Sequence, residues 1–445
     1  MTRKNSNTVA VILMAVALLC VIALPTGARG ARQDQQKPTY TMPEYTAFQT
    51  AAAEKDLNQK IKLLDDFVTK FPNSTLLPYV YQTYWDAYNQ LKNYPKVIEY
   101  TDKYLALGDK QPLQNRLQAA YAHASVLEYA YNAKDPNAKD FLTKGRDDAV
   151  LGLKLLDQMP RPDNMTDAQF ADQVKKPVAA VLNGAAGFAT LQLKDYKASA
   201  GFYRAIVTAI PTDSVSQYRL GVALWLQDPP QAMDGFWALA RAVALKGPVQ
   251  AAAKDYLKKR ILAYEQPGCD SLADDQMNEI IQLAAGSVDR PATYNIPSRA
   301  DLDKIAQASN VLTVLTDLKA GGDKAKMTWL ALCGAEFPEV GGKVIEVKPG
   351  TDSVELLLAT GATDEEIQAA TTANLDAKVV GQPEAARLQK DDGVRFSGTL
   401  SSYDPAPAVM LHWDKAKVNP EDIPAEKAAP GKHTPHKVPP KKPTQ

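Results

Sequence analysis

Arg395, Tyr403, His412 and Trp413 fall in one short C-terminal stretch, with Lys415 and Lys417 just beyond them. Flat rings and cations so placed can stack on a base or a sugar and pair with its anionic substituents, so single-stranded nucleic acid or an oligosaccharide is the ligand class they suit. A plainer account puts Phe396 and Trp413 in the core of a small barrel and leaves the lysines in solvent. Other chemistry has less to work with. The four histidines (His123, His412, His433 and His436) make no spaced ligand set. There is no His-Glu-x-x-His, Cys-x-x-Cys, Gly-x-Ser-x-Gly or dinucleotide-binding glycine pattern. Gly341-Gly342-Lys343-Val344 lacks the upstream glycine of a phosphate loop, and Val344 stands where a hydroxyl would hold Mg²⁺; a turn into a strand accounts for it. Asp65-Asp66 and Glu365-Glu366 read as solvated helix faces. The expectation is a non-enzymatic chain with no cofactor and no metal.

Charge adds no partner. The 51 basic and 51 acidic side chains cancel, so global attraction to nucleic acid or anionic lipid has no support. At the N-terminus, Arg3 and Lys4 precede an uncharged apolar run over residues 9–24, followed by Pro25, Gly27 and the small-residue site Ala28-Arg29-Gly30. That is the layout of a secretory signal peptide over residues 1–30. An uncleaved anchor is the alternative, but the run is short for a hydrocarbon layer of about 30 Å. Cys20 lies inside the run behind Leu19, which excludes a lipoprotein site. The protein is therefore expected in the periplasm or cell envelope of a bacterium, with no membrane span after cleavage. Removing the leader leaves Cys269 and Cys333, which either bond to each other or stay as buried thiols.

The elements that must position these groups change character along the chain. A polar tether over 31–42 precedes helix after helix over 43–266. Leu57, Ile61, Leu64 and Phe67 recur at helical spacing before Phe71-Pro72 ends the run; Tyr81, Tyr84 and Tyr88, then Val97, Tyr100 and Tyr104, mark the next pair. A third pair is less regular. Two segments then share a period of thirty-four: Gly187, Tyr203 and Pro211 in one, Gly221, Trp237 and Gly247 in the other.

This skeleton resembles the tetratricopeptide (TPR) repeat. Gly187 and Gly221 match its small close-contact residue; Leu220, Tyr196, Tyr203, Trp237 and Ala240 match packing positions, while Ala186 and Ile206 depart from the pattern. The resemblance covers about half the chain. It implies a superhelical groove, lined by the first helix of each pair, that binds another protein or a peptide segment. Carrying the groove positions over gives Tyr79, Gln82, Asp86 and Asn89, then Phe188 and Leu191, then Tyr218, Val222 and Trp225, with Val222 also readable as packing.

Beyond Pro267-Gly268, capping-box pairs Ser271/Asp274 and Ser298/Asp301 open further helices over 267–335. From 336 to 419 the period becomes two, giving five short strands with a helix between the second and third. This stretch resembles secreted OB-fold-like barrels, through Gly393-Val-Arg-Phe-Ser-Gly-Thr-Leu, Tyr403 and Met410-Leu-His-Trp413. Residues 420–445 read as a disordered tail. The whole is a multidomain chain: an all-α TPR-like superhelix, flanking helices and a small OB-like β-barrel. A protein-interaction scaffold is the first function, and a ligand-binding barrel with the helical array as spacer the second. No nucleic-acid partner is expected of an exported chain.

Overall fold

A computed structural model describes residues 39–425. The expected leader, and most of the tether and the tail, lie outside that range. The described chain divides into two units, residues 39–257 with 279–294, and residues 258–278 with 295–425.

The first unit is a run of helix pairs: α1 (Met42–Ala53) and α2 (Leu57–Lys70), α3 (Leu77–Gln90) and α4 (Tyr94–Leu105), α5 (Leu113–Ala130) and α6 (Ala138–Gln158). A short α7 (Asp167–Phe170) leads through one π turn into α8 (Lys176–Gln192), which pairs with α9 (Tyr196–Ala209); α10 (Ser214–Trp225) pairs with α11 (Ala232–Ala244). Each helix packs on its sequence neighbours, the contact pattern of a solenoid. The starts are written locally. Asp56, Asp195 and Asp213 cap α2, α9 and α10 with their carboxylates, and Thr41 and Thr166 form capping boxes with Glu44 and Gln169.

Two features lock the pairs. Tyr84 stacks on Tyr100 with centroids 3.9 Å apart and on Tyr88 at 6.1 Å, so the aromatic faces read from the sequence meet each other. The period-34 glycines are close-contact sites: a Cβ on Gly187 would lie 2.9 Å from the Tyr203 ring, and one on Gly221 2.6 Å from Leu239. A turn also repeats. Lys92 and Lys194 both take positive φ, and Asn93 and Asp195 donate their backbone N–H back to Tyr88 and Thr190 at 2.9 Å. This is a left-handed helix stop made by lysine where glycine is usual.

α12 (Gln250–Glu265) and α13 (Ser271–Gly286) each cross the division between units. The second unit holds α14 (Arg299–Ala308), α15 (Val311–Ala320), α16 (Gly322–Leu332) and the barrel strands β1 (Glu336–Pro349), β2 (Ser353–Ala359), β3 (Leu375–Val380), β4 (Gly393–Asp404) and β5 (Met410–Val418). A short α17 (Asp364–Ala369) lies between β2 and β3, as the sequence implied. The barrel closes in the order β1-β2-β3-β5-β4, antiparallel except for the β3–β5 pair. The fourteen-residue β1 pairs with β4 through its first half and β2 through its second, shifting register between Val344 and Glu346. Val344, Leu356, Leu375, Phe396, Leu411 and Trp413 fill the interior, in one cluster with Leu302, Leu315 and Leu330 of the preceding helices. Those helices belong to the barrel's own core. Cys269 and Cys333 form a disulfide within this unit, their Cα atoms 5.7 Å apart.

Candidate functional site

The positions carried over from the repeat separate into two groups. On α3, Tyr79 is 52% exposed, and Asp86 and Asn89 are exposed as well. Gln82 donates from Nε2 to Gln118 Oε1 of α5 at 3.4 Å, so the two first helices present adjoining faces. Solvent reaches Asp86, yet the surrounding protein desolvates its carboxyl and pushes it up to about 6, with the Trp85 side chain and then Lys60 drawing it part of the way back. The half-buried Tyr121 shares α5 with Gln118, and burial pushes its hydroxyl up to about 12. Together these residues make a face of amides and phenols with one acid. Such groups donate to and accept from an extended peptide backbone.

The other positions are used in packing, which corrects the expectation for them. Phe188 is buried and stands edge-on to Tyr131 at 5.6 Å. Leu191 packs against the cluster of Ala200, Tyr203 and Leu220. Tyr218 meets Tyr256 edge-on at 6.2 Å and packs on Val243 and Ala253. Trp225 lies 5.1 Å from Phe236, and Val222 is half-buried between buried Gly221 and Ala223. Sequence reasoning missed Gln118 and Tyr121 because a strict period of thirty-four does not reach them: Gln82 and Gln118 are 36 residues apart. A 3₁₀ turn, Gly108–Lys110, lies between the two pairs where the period slips.

The four barrel candidates do not form one site. Trp413 is 1% exposed, held edge-on between Phe337 at 4.9 Å and Phe396 at 5.6 Å, so it is core. Arg395 spends its guanidinium on Asp422, with Nε to Oδ2 at 3.0 Å and Nη2 to Oδ1 at 2.9 Å. Asp422 lies in the segment read as tail. His412 faces Asp376 through Nδ1 at 2.9 Å and Asp404 through Nε2 at 3.2 Å. Burial favours its neutral ring, but the two carboxylates prevail and hold its pKa above the ordinary value. Tyr403 packs on Trp329 at 4.8 Å, in the wall of a cavity of about 610 Å³ with Leu318 and Gln276. A second cavity, of about 630 Å³, is lined by Arg395, Phe337, Asn310 and Gly341. Lys343 of the glycine-lysine motif is buried in β1, donating to the Gln368 carbonyl at 2.7 Å, as a strand position requires.

One charged cluster was not legible. His123, on α5, points Nδ1 at Asp102 of α4 (3.1 Å) and Asp148 of α6 (3.5 Å). These three side chains are close enough to share a metal ion. Lys144 already compensates the charge, with Nζ at 3.2 Å from Asp102 and 2.8 Å from Asp148. Burial raises the Asp148 carboxyl above its ordinary range; Asp102 is held below it, His123 and Lys144 overcoming its burial. The cluster is an internal ion network that ties three helices.

The fold is a run of helix pairs followed by a closed five-stranded barrel. No family model matches the chain, and no curated protein matches it. Among solved structures, the chain is similar to the C-terminal part of a TPR repeat-containing protein from Cytophaga hutchinsonii, at 15% identity and a TM-score of 0.25, covering 55% of this chain and 95% of that one. A likeness that distant carries no argument about function.

Proposed function

We propose that this protein is a non-enzymatic interaction scaffold of the bacterial cell envelope, and that it docks an extended segment of another protein across α3 and α5. Tyr79, Gln82, Asp86 and Asn89 contribute from α3, and Gln118 and Tyr121 from α5. The observation that carries the reading is the bond between Gln82 and Gln118 beside an exposed Tyr79: two neighbouring first helices turn polar and aromatic side chains to solvent, where α8 and α10 use the same positions for packing. Exposed aromatic anchors flanked by polar groups are what interfaces rely on for most of their binding energy. The apolar run near the N-terminus supports export.

The test is capture from envelope extract by the full-length protein. Replacing both Tyr79 and Gln118 with alanine should abolish recovery of the partner while helicity and melting stay unchanged. Undiminished capture by that variant would refute the site.

A second reading treats the barrel as OB-like and ligand-binding. Its support is the pair of cavities beside Arg395 and Tyr403. Alanine at Tyr403 should then reduce binding of an oligosaccharide probe; no change excludes this reading.

A further inference from the structure

The corner between α12 and α13 contains two buried side chains whose unmet needs match. Gln276 donates from Nε2 to Glu265 Oε1 at 2.8 Å. Glu265 is 0% exposed and Gln276 2%. One oxygen on each, Glu265 Oε2 and Gln276 Oε1, is buried without a hydrogen-bond partner among the described residues. Two such orphans in one residue pair are costly, since each forfeits its hydration for nothing. If both atoms are only acceptors, neither can satisfy the other. A proton on Oε2 changes that: Glu265 then donates to Gln276 Oε1 while Gln276 donates to Glu265 Oε1, and a carboxylic acid and an amide close a ring of two hydrogen bonds. The oxygen of Gln276 is sealed from solvent, so a molecule in the neighbouring cavity is no substitute for that proton.

We propose that Glu265 is a neutral carboxylic acid locked onto the Gln276 amide, and that its deprotonation releases this pair, making the corner a proton-operated latch. The surroundings agree. Burial pushes the Glu265 carboxyl up to about 7, with the Gln276 amide and the charge of Lys326 on α16 drawing it only part of the way back. The other charged groups at this corner act on its neighbours: Asp301 of α14 bears on Tyr264, and Arg299 of α14 donates to the Gln266 carbonyl at 3.0 Å. The backbone here is pinned, because Cys269 is bonded to Cys333 and Gly268 lies so close to the Cys333 carbonyl that a Cβ would meet it at 2.0 Å. Opening is therefore confined to side chains and the ends of the two helices. Gln276 and Lys326 both border the cavity that holds Trp329 and Tyr403.

The sign of the effect comes from linkage. The folded pKa lies above the ordinary 4.5, so the folded chain holds a proton that the unfolded chain has lost; stability falls as pH rises from about 4.5 to about 7 and is level beyond. Infrared difference spectra of the full-length protein test this through the carbonyl stretch of protonated carboxyl groups. At pH 5.5, wild type minus E265Q should show one protonated-carboxyl band, and that band should vanish at pH 8.5. Hydrogen exchange over residues 262–278, corrected for intrinsic rates, should quicken several-fold across the same interval in wild type and stay flat in E265Q. Q276L is the second variant: it keeps the buried acid but removes its partner, so the band should move to the frequency of an unbonded carboxyl. No band in the wild type minus E265Q spectrum at pH 5.5 overturns the protonated state. A Q276L band at the wild-type frequency overturns the ring, even if E265Q fails to fold.

Discussion

Helical unit and barrel unit treat the same kinds of residue differently. In the helical unit a position's neighbours are set by chain spacing, so glycine at Gly187 and Gly221 translates directly into helix contacts with Tyr203 and Leu239. In the barrel unit a residue's fate is set by strands and turns far along the chain. Arg395 finds Asp422, His412 finds Asp376 and Trp413 finds Phe337. Aromatic and cationic side chains on barrel strands thus looked like a ligand set and proved to be self-paired, while on α3 Tyr79 touches Phe48 at 6.3 Å yet keeps 52% of its surface exposed. Residue type alone identifies a site only where topology leaves the residue unspent.

The largest effect expected from this contrast is at Trp413. Trp413→Ala should destabilise the barrel unit by about 4 kcal/mol through cavity formation in a closed core, measured by denaturant unfolding followed through the barrel. A ligand platform would tolerate the change, so an unaltered midpoint would break the comparison. Next comes the ion network of the helical unit. Asp148→Ala should cost about 3 kcal/mol, because the buried His123 ring and the half-exposed Lys144 both lose the carboxylate they face. Equal stability of the variant and wild type would mean that the network ties nothing together.

A smaller loss, roughly 2 kcal/mol, is expected for Gly221→Leu, because Leu239 and the Gly235 carbonyl leave no room for a side chain. It should register in far-ultraviolet dichroism of the helical melt, and a melt identical to wild type would show that the repeat register is misplaced.

The smallest effect belongs to the proposed site. Asp86 has its carboxyl raised to about 6 from 3.8, so the folded state holds its proton more tightly than the unfolded chain; stability falls as pH climbs from about 3.8 through about 6. Asp86→Asn should then be slightly more stable than wild type at pH 7, by less than about 1 kcal/mol once solvent screening is allowed for. The gain should disappear below pH 3.8. A gain in stability together with weaker capture is the mark of a residue kept for binding. Lower stability at pH 7 would make Asp86 structural.

How much of this was legible depends on which forces wrote it. The close-contact glycines Gly187 and Gly221, the aromatic faces around Tyr84, and the five strands with a helix after the second are local patterns, and a local pattern can be read in one pass. The left-handed stops at Lys92 and Lys194 escaped because lysine does not announce positive φ. The parallel β3–β5 pair and the closure of β1 on β4 escaped because pairing over such separations leaves no periodic trace. Within the site, the α3 residues came from the repeat pattern, whereas Gln118 and Tyr121 lay past a slip in the period. Phe188, Tyr218 and Trp225 were assigned to the groove because their positions match the repeat, and only their partners Tyr131, Tyr256 and Phe236 reveal that they pack.

The central claim is that the partner occupies the α3–α5 face. Hydroxyl-radical footprinting of the full-length protein, alone and with its captured partner, tests it at single side chains. Tyr79, 52% exposed in the free protein, and Tyr121 should lose reactivity in the complex, while Trp329 and Tyr403 beside the barrel stay unchanged. Protection of Trp329 and Tyr403, with Tyr79 as reactive as before, would contradict it and move the binding site to the barrel.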